Sequence, residues 1–311
     1  MGVKNLIKFI KIYSPNAISY KKIDAYRDSC IGFDANLLIY KLIYGIRTRG
    51  YDIMNDTKIV THIHSFLLKF LAFLKYNITP IFVFDSKMPK IKYRTIEKRA
   101  EIKNKLIKKY EKSKSKEGKR IYYYIKTDVT DNEIEECKKL ILLFGYNLIE
   151  AKEEADNQLV QLYDNGVIDY IASDDMDTLL FGGRKMLKNF TADPEKYIQE
   201  IDLDLILCEA NISMDQFIRI GLLHGTDYCS NKTMSSIKAY KSVTSNQDNI
   251  REKCKKAYDY FIDAPCHIIK LCNLQCDRPI DKKLLKEFLL EFGFKDTYIK
   301  KLFIDIKKYS N

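Results

Sequence analysis

The sequence lacks a long apolar run, and this limits where the protein can act. No stretch approaches the roughly 18 consecutive apolar residues that a membrane-spanning helix requires. The first residues do not resemble a signal peptide, and position 6 is Leu where a myristoylation motif has Ser or Thr. We therefore expect no membrane partner.

Metal-binding spacings of cysteine and histidine are also absent. The eight cysteines are scattered without a CxxC pair, and the four histidines form no HExxH motif. His62 and His64 fall in a segment with helical periodicity, which does not favour a zinc site. We expect no zinc, and free thiols in a reducing, intracellular compartment.

Charge is abundant and unevenly distributed. The 311 residues include 53 Lys and Arg against 42 Asp and Glu, a formal net charge of +11. Six of the acids are concentrated in two central clusters, Glu153–Asp156 and Asp174–Asp177. A basic chain with a concentrated acidic site is typical of a metal-dependent nucleic-acid enzyme. The alternative at this stage is charge that serves only solubility.

Acidic residues follow each of the predicted buried strands. Strands are predicted at 30–33, 81–84, 147–149 and 167–172, separated by segments with helical periodicity. This alternation predicts an α/β fold with a mostly parallel central sheet flanked by helices, in which ligands bind at the carboxyl edge. In extended chain, Asp175 and Asp177 would point the same way. The acids at or beyond these strand ends are Asp34, Asp85, Glu154, Asp156, Asp175 and Asp177.

Two further segments complete the secondary-structure prediction. Lys87–Lys119 is rich in Lys and Arg around a polar hinge at 113–118, which indicates either an ordinary solvated helix pair or mobile helices with a binding role. Capping boxes at Thr130/Glu133 and Ser213/Gln216 predict two helix starts. A further acid, Asp227, follows the second of these helices, and residues from 235 onward are predicted to be helical.

Taken together, these residues resemble the flap endonuclease family, the structure-specific 5′ nucleases of the XPG/Rad2 group. The resemblance covers nearly the whole chain. It rests on the motifs MGVKNL (1–6), FDA (33–35), VFDSKMP (83–89), AKEEAD (151–156), SDDMDTLLFG (173–182) and LHGTDYC (223–229).

The sequence departs from the family pattern in three places. The family's Gly-Ile-Gly hairpin is replaced around Thr233–Ser235, which puts the usual grip on duplex DNA in doubt. The second acid of the central pair is Asp156 rather than Glu. The C-terminal QxxLxxFF segment that binds the sliding clamp is missing, so we expect no clamp contact through that motif.

The resemblance implies a nuclease of the PIN/5′-nuclease type with four regions. These are an N-terminal nuclease region (1–98), a basic helical arch (87–129), an internal nuclease region (130–228) and a C-terminal helical duplex-binding region (229–311). All four are expected to form one compact unit.

The resemblance also implies a two-metal site and its surroundings. Two Mg²⁺ ions, for which Mn²⁺ substitutes, are expected on seven acids. One ion is assigned to Asp34, Asp85, Glu154 and Asp156, and the other to Asp175, Asp177 and Asp227. Glu153 and Asp174 are interpreted as flanking charges. Lys92 and Arg99 are the expected catalytic cations, and the expected DNA contacts are Gly2, Tyr40, Arg47, Lys69, Lys87, Arg94 and Lys98.

The implied function is a structure-specific 5′ flap endonuclease with 5′→3′ exonuclease activity, acting on DNA with 5′ flaps, nicks or ends in replication, repair or recombination. We expect a monomer in the nucleus or at another site of DNA replication, including a viral one. The alternatives are an enzyme that is mainly a 5′→3′ exonuclease, a catalytically silent DNA-structure-binding protein, and a ribonuclease of similar architecture.

Overall fold

The structure is a computed structural model that describes residues 2–229, 233–270, 274 and 279–309. Its strands alternate with helices through the first two thirds of the chain, as the sequence predicts. The strands are β1 (Ile18–Lys21), β2 (Cys30–Asp34), β3 (Met54–Asn55), β4 (Lys58–Ile59), β5 (Thr79–Phe84), β6 (Asn147–Glu150), β7 (Tyr170–Ala172), β8 (Lys185–Lys188) and β9 (Ile198–Asp202).

Helices flank these strands and make up most of the C-terminal part. They are α1 (Leu6–Tyr13), α2 (Ala35–Arg47), α3 (Thr61–Tyr76), α4 (Tyr93–Tyr110), α5 (Lys116–Lys126), α6 (Asp131–Leu143), α7 (Ala155–Asp164), α8 (Asp177–Leu180), α9 (Leu203–Glu209), α10 (Met214–His224), α11 (Ser236–Thr244), α12 (Ile250–Lys253), α13 (Lys255–Ile262), α14 (Lys282–Glu291) and α15 (Asp296–Tyr309). The capping boxes at Thr130 and Ser213 are both present.

Seven strands form the central sheet in the order β1-β9-β8-β7-β2-β5-β6. The five strands from β8 to β6 are parallel, whereas β9 runs antiparallel to both β8 and β1. The mostly parallel sheet is therefore confirmed. Because the carboxyl ends of parallel strands meet at one edge, the chain after β2, β5, β6 and β7 emerges on the same side of the molecule.

The sheet separates two hydrophobic cores. Ile81 and Val83 of β5 belong to a core with α1, α7 and α10, whereas Phe82 and Phe84 belong to a core with α2, α3 and α6. Successive side chains of a strand point to opposite faces, so these cores cover the two faces of the sheet. Burial on both faces explains why β5 reads as an uninterrupted apolar run in the sequence.

Two local predictions in the central stretch are wrong. The predicted strand 167–172 is shorter, since Val167 N–H donates to the Leu162 carbonyl in the turn that ends α7, and β7 begins only at Tyr170. Asp175 and Asp177 are not in extended chain. Asp177 begins the short helix α8, and its backbone N–H donates to Asp175 Oδ1 (3.1 Å).

The predicted basic arch consists of α4 and α5, which pack against each other. The turn between them, at 111–115, overlaps only the first part of the hinge predicted at 113–118, and Ser115 caps α5 by accepting from Gly118 N–H (3.0 Å). The Tyr123 hydroxyl donates to Asp52 (2.6 Å), and Lys103 forms an ion pair with Asp128. These contacts tie both arch helices to the nuclease body.

The C-terminal helices divide between the two faces of the sheet. Helices α11 to α13 pack around α10, whereas α14 and α15 bury their apolar residues against α3 and α6. The predicted helical region after residue 235 is thus present but is not a single layer. Among the helices that the structure describes, none combines the length and apolar character needed to cross a bilayer.

The expectation of free thiols is wrong for two cysteines. Cys229 and Cys254 form a disulfide that joins the segment after α10 to the start of α13. Of the other described cysteines, Cys30, Cys137, Cys208 and Cys266 are not disulfide-bonded, whereas Cys272 and Cys276 lie outside the described residues.

The disulfide closes a loop with a sequence separation of 25 residues. Cross-links of this kind restrict the unfolded chain, so Cys254→Ser is expected to lower the free energy of unfolding by about 2–4 kcal/mol. Urea unfolding with and without dithiothreitol measures this change. Cys208→Ser, at an exposed free cysteine, is the control, and equal unfolding curves for the two variants would show that the cross-link contributes nothing to stability.

Candidate active site

The carboxyl edge of the sheet forms an acidic cleft of about 450 Å³. Six of the seven acids predicted from the sequence line it: Asp34, Asp85, Glu154, Asp156, Asp175 and Asp227. The seventh, Asp177, is completely buried next to Asp175. The seven acids come from segments separated by up to about 190 positions in the sequence, and the fold gathers them at one place.

Backbone hydrogen bonds fix several of these carboxylates. Asp34 caps α2 by accepting from Leu37 N–H (3.0 Å), and Asp85 accepts from Ala155 N–H (2.8 Å). The Ser86 N–H also donates to the Glu153 carbonyl (2.9 Å). The end of β5 therefore holds the turn that precedes α7, which sets the position of both central acids relative to Asp85.

The buried carboxylate of Asp177 bears most directly on whether the site binds a metal ion. Both of its carboxylate oxygens are buried, and neither has a hydrogen-bond partner among the described residues. An unpaired carboxylate without water is strongly unfavourable unless a cation compensates it. The surrounding donors are carboxylate oxygens, which hard divalent cations such as Mg²⁺ prefer. The residues thus fit divalent cations, although no three described His, Cys, Asp or Glu side chains are already gathered into a ligand set.

Burial and mutual repulsion disfavour ionisation of the buried aspartates. The pKa of Asp177 is raised well above its usual value, first by burial and then by the nearby charge of Asp175. Burial likewise raises the pKa of Asp156 and of Asp34, with Asp175 and Asp85 respectively as the strongest charged neighbours. A cation bound here would remove the repulsion and restore the charged forms.

Two cations of the arch reach into the cleft. Lys92 is largely buried, forms an ion pair with Glu154, and lies 4.2 Å from the centre of the Tyr228 ring. Burial favours the neutral amine, but the charges of Glu154 and Asp177 outweigh it, so the pKa of Lys92 is raised. Arg99 forms an ion pair with Asp227. The structure therefore places both predicted catalytic cations at the acids.

Gly2 lies directly against two of the acids. It has a φ of 78°, and a Cβ atom there would lie 1.9 Å from Asp175 Oδ1 and 3.0 Å from Asp177 Cγ. Only glycine fits this backbone conformation and this close approach. The sequence predicted Gly2 as a DNA contact, whereas the structure places it against the site. Met1 lies outside the described residues.

The other predicted DNA contacts differ in their placement. Tyr40 and Lys87 line the acidic cleft, and Arg94 and Lys98 are exposed at the start of α4. Lys69 is buried and lies in a separate basic cleft, where burial and then Lys41 lower its pKa to about 7. The DNA-contact roles of these five residues remain predictions.

The predicted DNA contact by Arg47 is wrong for the structure as it stands. Arg47 is only 1% exposed, and its guanidinium donates to Asp52 (3.0 Å), Glu133 (2.6 Å) and the Asp128 carbonyl (2.9 Å). With its donors directed at these partners, Arg47 links α2 to the start of α6 and to the base of the arch.

Sequence reasoning missed two tyrosines that donate to the central acids. The Tyr228 hydroxyl donates to Glu154, and the Tyr260 hydroxyl donates to Glu153 (2.7 Å). Tyr228 could have been noticed because it follows Asp227 within a quoted motif. Tyr260 has no local signal. Asp174, in contrast, pairs with Lys41 (2.6 Å) and accepts from Asn189 N–H, consistent with a flanking charge.

Comparison with known proteins identifies the family. The model of the XPG N-terminal domain matches residues 1–106, and that of the XPG I-region matches residues 145–227. Flap endonuclease 1 of Danio rerio is 31% identical over 263 residues, which cover 80% of this chain and 69% of that relative. The chain belongs to the flap endonuclease (XPG/Rad2) family. The two matched regions contain all seven acids of the site.

A second relative agrees with this assignment, and two solved structures share the fold. Flap endonuclease 1 of Theileria parva is 30% identical over 326 aligned residues, covering 99% of this chain, and this chain spans 66% of that relative's length. The fold is similar to the catalytic core of Rad2 in complex with DNA substrate (TM-score 0.74, 21% identity, 98% of this chain and 100% of that chain). It is also similar to flap endonuclease-1 from Methanococcus jannaschii (TM-score 0.71, 23% identity, 94% and 96%).

Gly2→Ala is expected to disrupt the acidic site because the new methyl group would overlap Asp175 Oδ1. Calorimetric titration with Ca²⁺ should show weakened divalent-ion binding. Gly45→Ala is the matched control, since a Cβ there meets nothing within 4 Å and the change should stabilise α2 by about 0.5–1 kcal/mol. Unchanged Ca²⁺ binding by Gly2→Ala would contradict the close packing.

The raised pKa values of Asp34, Asp156 and Asp177 predict how metal-free stability depends on pH. A carboxyl group with a raised folded-state pKa stabilises the fold below its unfolded pKa, near 3.8, and this contribution is lost as pH rises through the raised value. In EDTA, the melting temperature should therefore fall as the pH rises through these raised pKa values. Added Mg²⁺ should reverse the fall.

Asp177→Asn is the sharpest variant for this test. It should raise the melting temperature of the metal-free protein at neutral pH and weaken the stabilisation by Mg²⁺, because it removes one buried charge. Asp263→Asn, at an exposed aspartate, is the control. A melting temperature that rises with pH in EDTA would be the opposite of the expected linkage.

Proposed function

We propose that the protein is a Mg²⁺-dependent, structure-specific 5′ flap endonuclease with 5′→3′ exonuclease activity, acting on DNA in replication or repair at a nuclear or other intracellular replication site. The observation that carries the proposal is the convergence of six acids on one cleft, while the seventh, Asp177, is buried beside Asp175 and has no hydrogen-bond partner among the described residues. The protein's membership of the flap endonuclease family supports the same activity.

The acids are suited to hold two divalent ions. When bound, these ions would activate a water molecule and neutralise the charge of the phosphodiester. Asp34, Asp85, Glu154 and Asp156 would hold one ion, and Asp175, Asp177 and Asp227 the other. The backbone contacts at Asp34 and Asp85 keep this set in place before the substrate arrives.

The basic arch supplies positive charge opposite the acids. Lys92 and Arg99 pair with Glu154 and Asp227, so both cations already lie at the cleft. With a scissile phosphate in the cleft, they donate to its oxygens and stabilise the charge that develops in the transition state. Tyr40 lines the same cleft and provides a ring on which an unpaired base can stack.

The remaining basic surfaces fit a strand passing under the arch and a duplex beside it. Exposed lysines occur on α11 to α13, including Lys238, Lys255 and Lys256. Such contacts to the phosphate backbone position DNA without reading its sequence. This arrangement favours recognition of a junction between single-stranded and duplex DNA.

Cleavage of a 5′-labelled DNA flap in Mg²⁺ tests the proposal. Wild-type protein should release the flap as an intact oligonucleotide, whereas release of mononucleotides alone would identify it as mainly an exonuclease. Parallel RNA flap, nick and Holliday-junction substrates separate the remaining nuclease classes.

Asp175→Ala should lose cleavage while still binding the flap, because it removes a metal ligand and leaves the basic surfaces intact. Asp174→Asn is the matched control, since Asp174 pairs with Lys41 outside the set of proposed ligands. Flap binding without cleavage by wild-type protein would make it a DNA-structure binder. Cleavage that survives Asp175→Ala would refute the assigned site.

A further inference from the structure

We propose that Tyr260, on the C-terminal helix α13, is a positioning residue for Glu154, and so sets the affinity of the acidic site for divalent ions. The inference rests on the proposed function only in naming those ions as the cofactor.

Two parallel hydrogen bonds connect tyrosines to the central acids. Tyr228 donates to Glu154, and Tyr260 donates to the adjacent Glu153 (2.7 Å). The two tyrosine rings lie against each other, with centroids 5.4 Å apart and an interplanar angle of 33°. Tyr260 therefore fixes Glu153 through its hydroxyl group and Tyr228 through its ring.

The two tyrosines belong to a cluster of four aromatic rings. Phe181 at the end of α8 lies 5.9 Å from Tyr260, and Phe261 lies 4.8 Å from Tyr228. The cluster connects α8, which begins with Asp177, to the segment that contains Asp227. Helix α13 thus supports three parts of the site at once.

The turn at Glu153 is held by contacts with two parts of the chain. Ser86 N–H donates to the Glu153 carbonyl and Ala155 N–H donates to Asp85, which joins the turn to the end of β5. Tyr260 on α13 donates to the Glu153 carboxylate. Groups that orient a metal ligand without touching the metal change its affinity, because an unheld ligand pays conformational entropy on binding. Tyr260→Phe would keep the ring packing and lose only the hydrogen bond to Glu153.

Tyr258 provides a control on the same helix. Its hydroxyl donates to Asp215 on α10, which does not line the acidic cleft. Tyr258→Phe and Tyr260→Phe each remove one tyrosine–carboxylate hydrogen bond from α13. If Tyr260 had only a structural role, the two variants should have similar melting temperatures and similar Ca²⁺ affinities.

Calorimetric titration with Ca²⁺ tests the proposal, because it measures divalent-ion binding without DNA cleavage. Tyr260→Phe should weaken Ca²⁺ binding by about 10-fold, at the lower end of effects seen for residues that orient metal ligands. Tyr258→Phe should bind Ca²⁺ as the wild type does. Both substitutions should lower the melting temperature by similar amounts. Glu153→Gln, which keeps an acceptor for Tyr260, should bind more tightly than Tyr260→Phe.

Equal Ca²⁺ affinity for Tyr260→Phe and Tyr258→Phe would overturn the proposal, as would a wild-type protein that binds no divalent ion. The Mg²⁺ concentration for half-maximal flap cleavage should shift in parallel with Ca²⁺ affinity, with flap affinity unchanged. If the wild type cleaves no flap yet the Ca²⁺ difference holds, the proposed function fails and the role of Tyr260 stands.

Discussion

Mutual repulsion among carboxylates at one edge of the sheet is the constraint on which the site depends. Asp34, Asp156 and Asp177 are buried together, and burial and neighbouring charge raise the pKa of each. Hydrogen bonds and the Lys92 ammonium compensate only part of this cost, since both oxygens of Asp177 lack a partner among the described residues. The fold thus holds the acids in place at a cost to stability that bound divalent ions would offset.

A rigid surrounding structure is needed to hold charges that repel one another. Buried apolar side chains cover both faces of the sheet, which fixes the strand ends that carry the acids. Residues far from the acids in sequence complete the site. Gly2 packs against Asp175 and Asp177, and Tyr260 donates to Glu153. The Cys229–Cys254 disulfide adds a covalent connection between the Asp227 segment and α13.

The arch and the acids have complementary charge. Lys92 and Arg99 pair with acids in the cleft, while Lys103 and Tyr123 attach the arch helices to Asp128 and Asp52. Arg47, predicted as a DNA contact, instead lies buried within this attachment. A basic side chain near the proposed DNA-binding site can therefore serve the folded structure, and only its burial and partners distinguish this role from DNA contact.

The sequence by itself determined the parallel sheet, the helix starts at Thr130 and Ser213, and the identity of the seven acids, because buried strands, capping boxes and acidic motifs are local patterns. It did not determine β1, β8 and β9, which form one end of the sheet, where β1 pairs with β9 from the other part of the chain. Only the tertiary structure placed Tyr260 beside Glu153 and paired Cys229 with Cys254. Contacts between residues far apart in the chain leave no periodicity in the sequence, so they become visible only once the chain is folded.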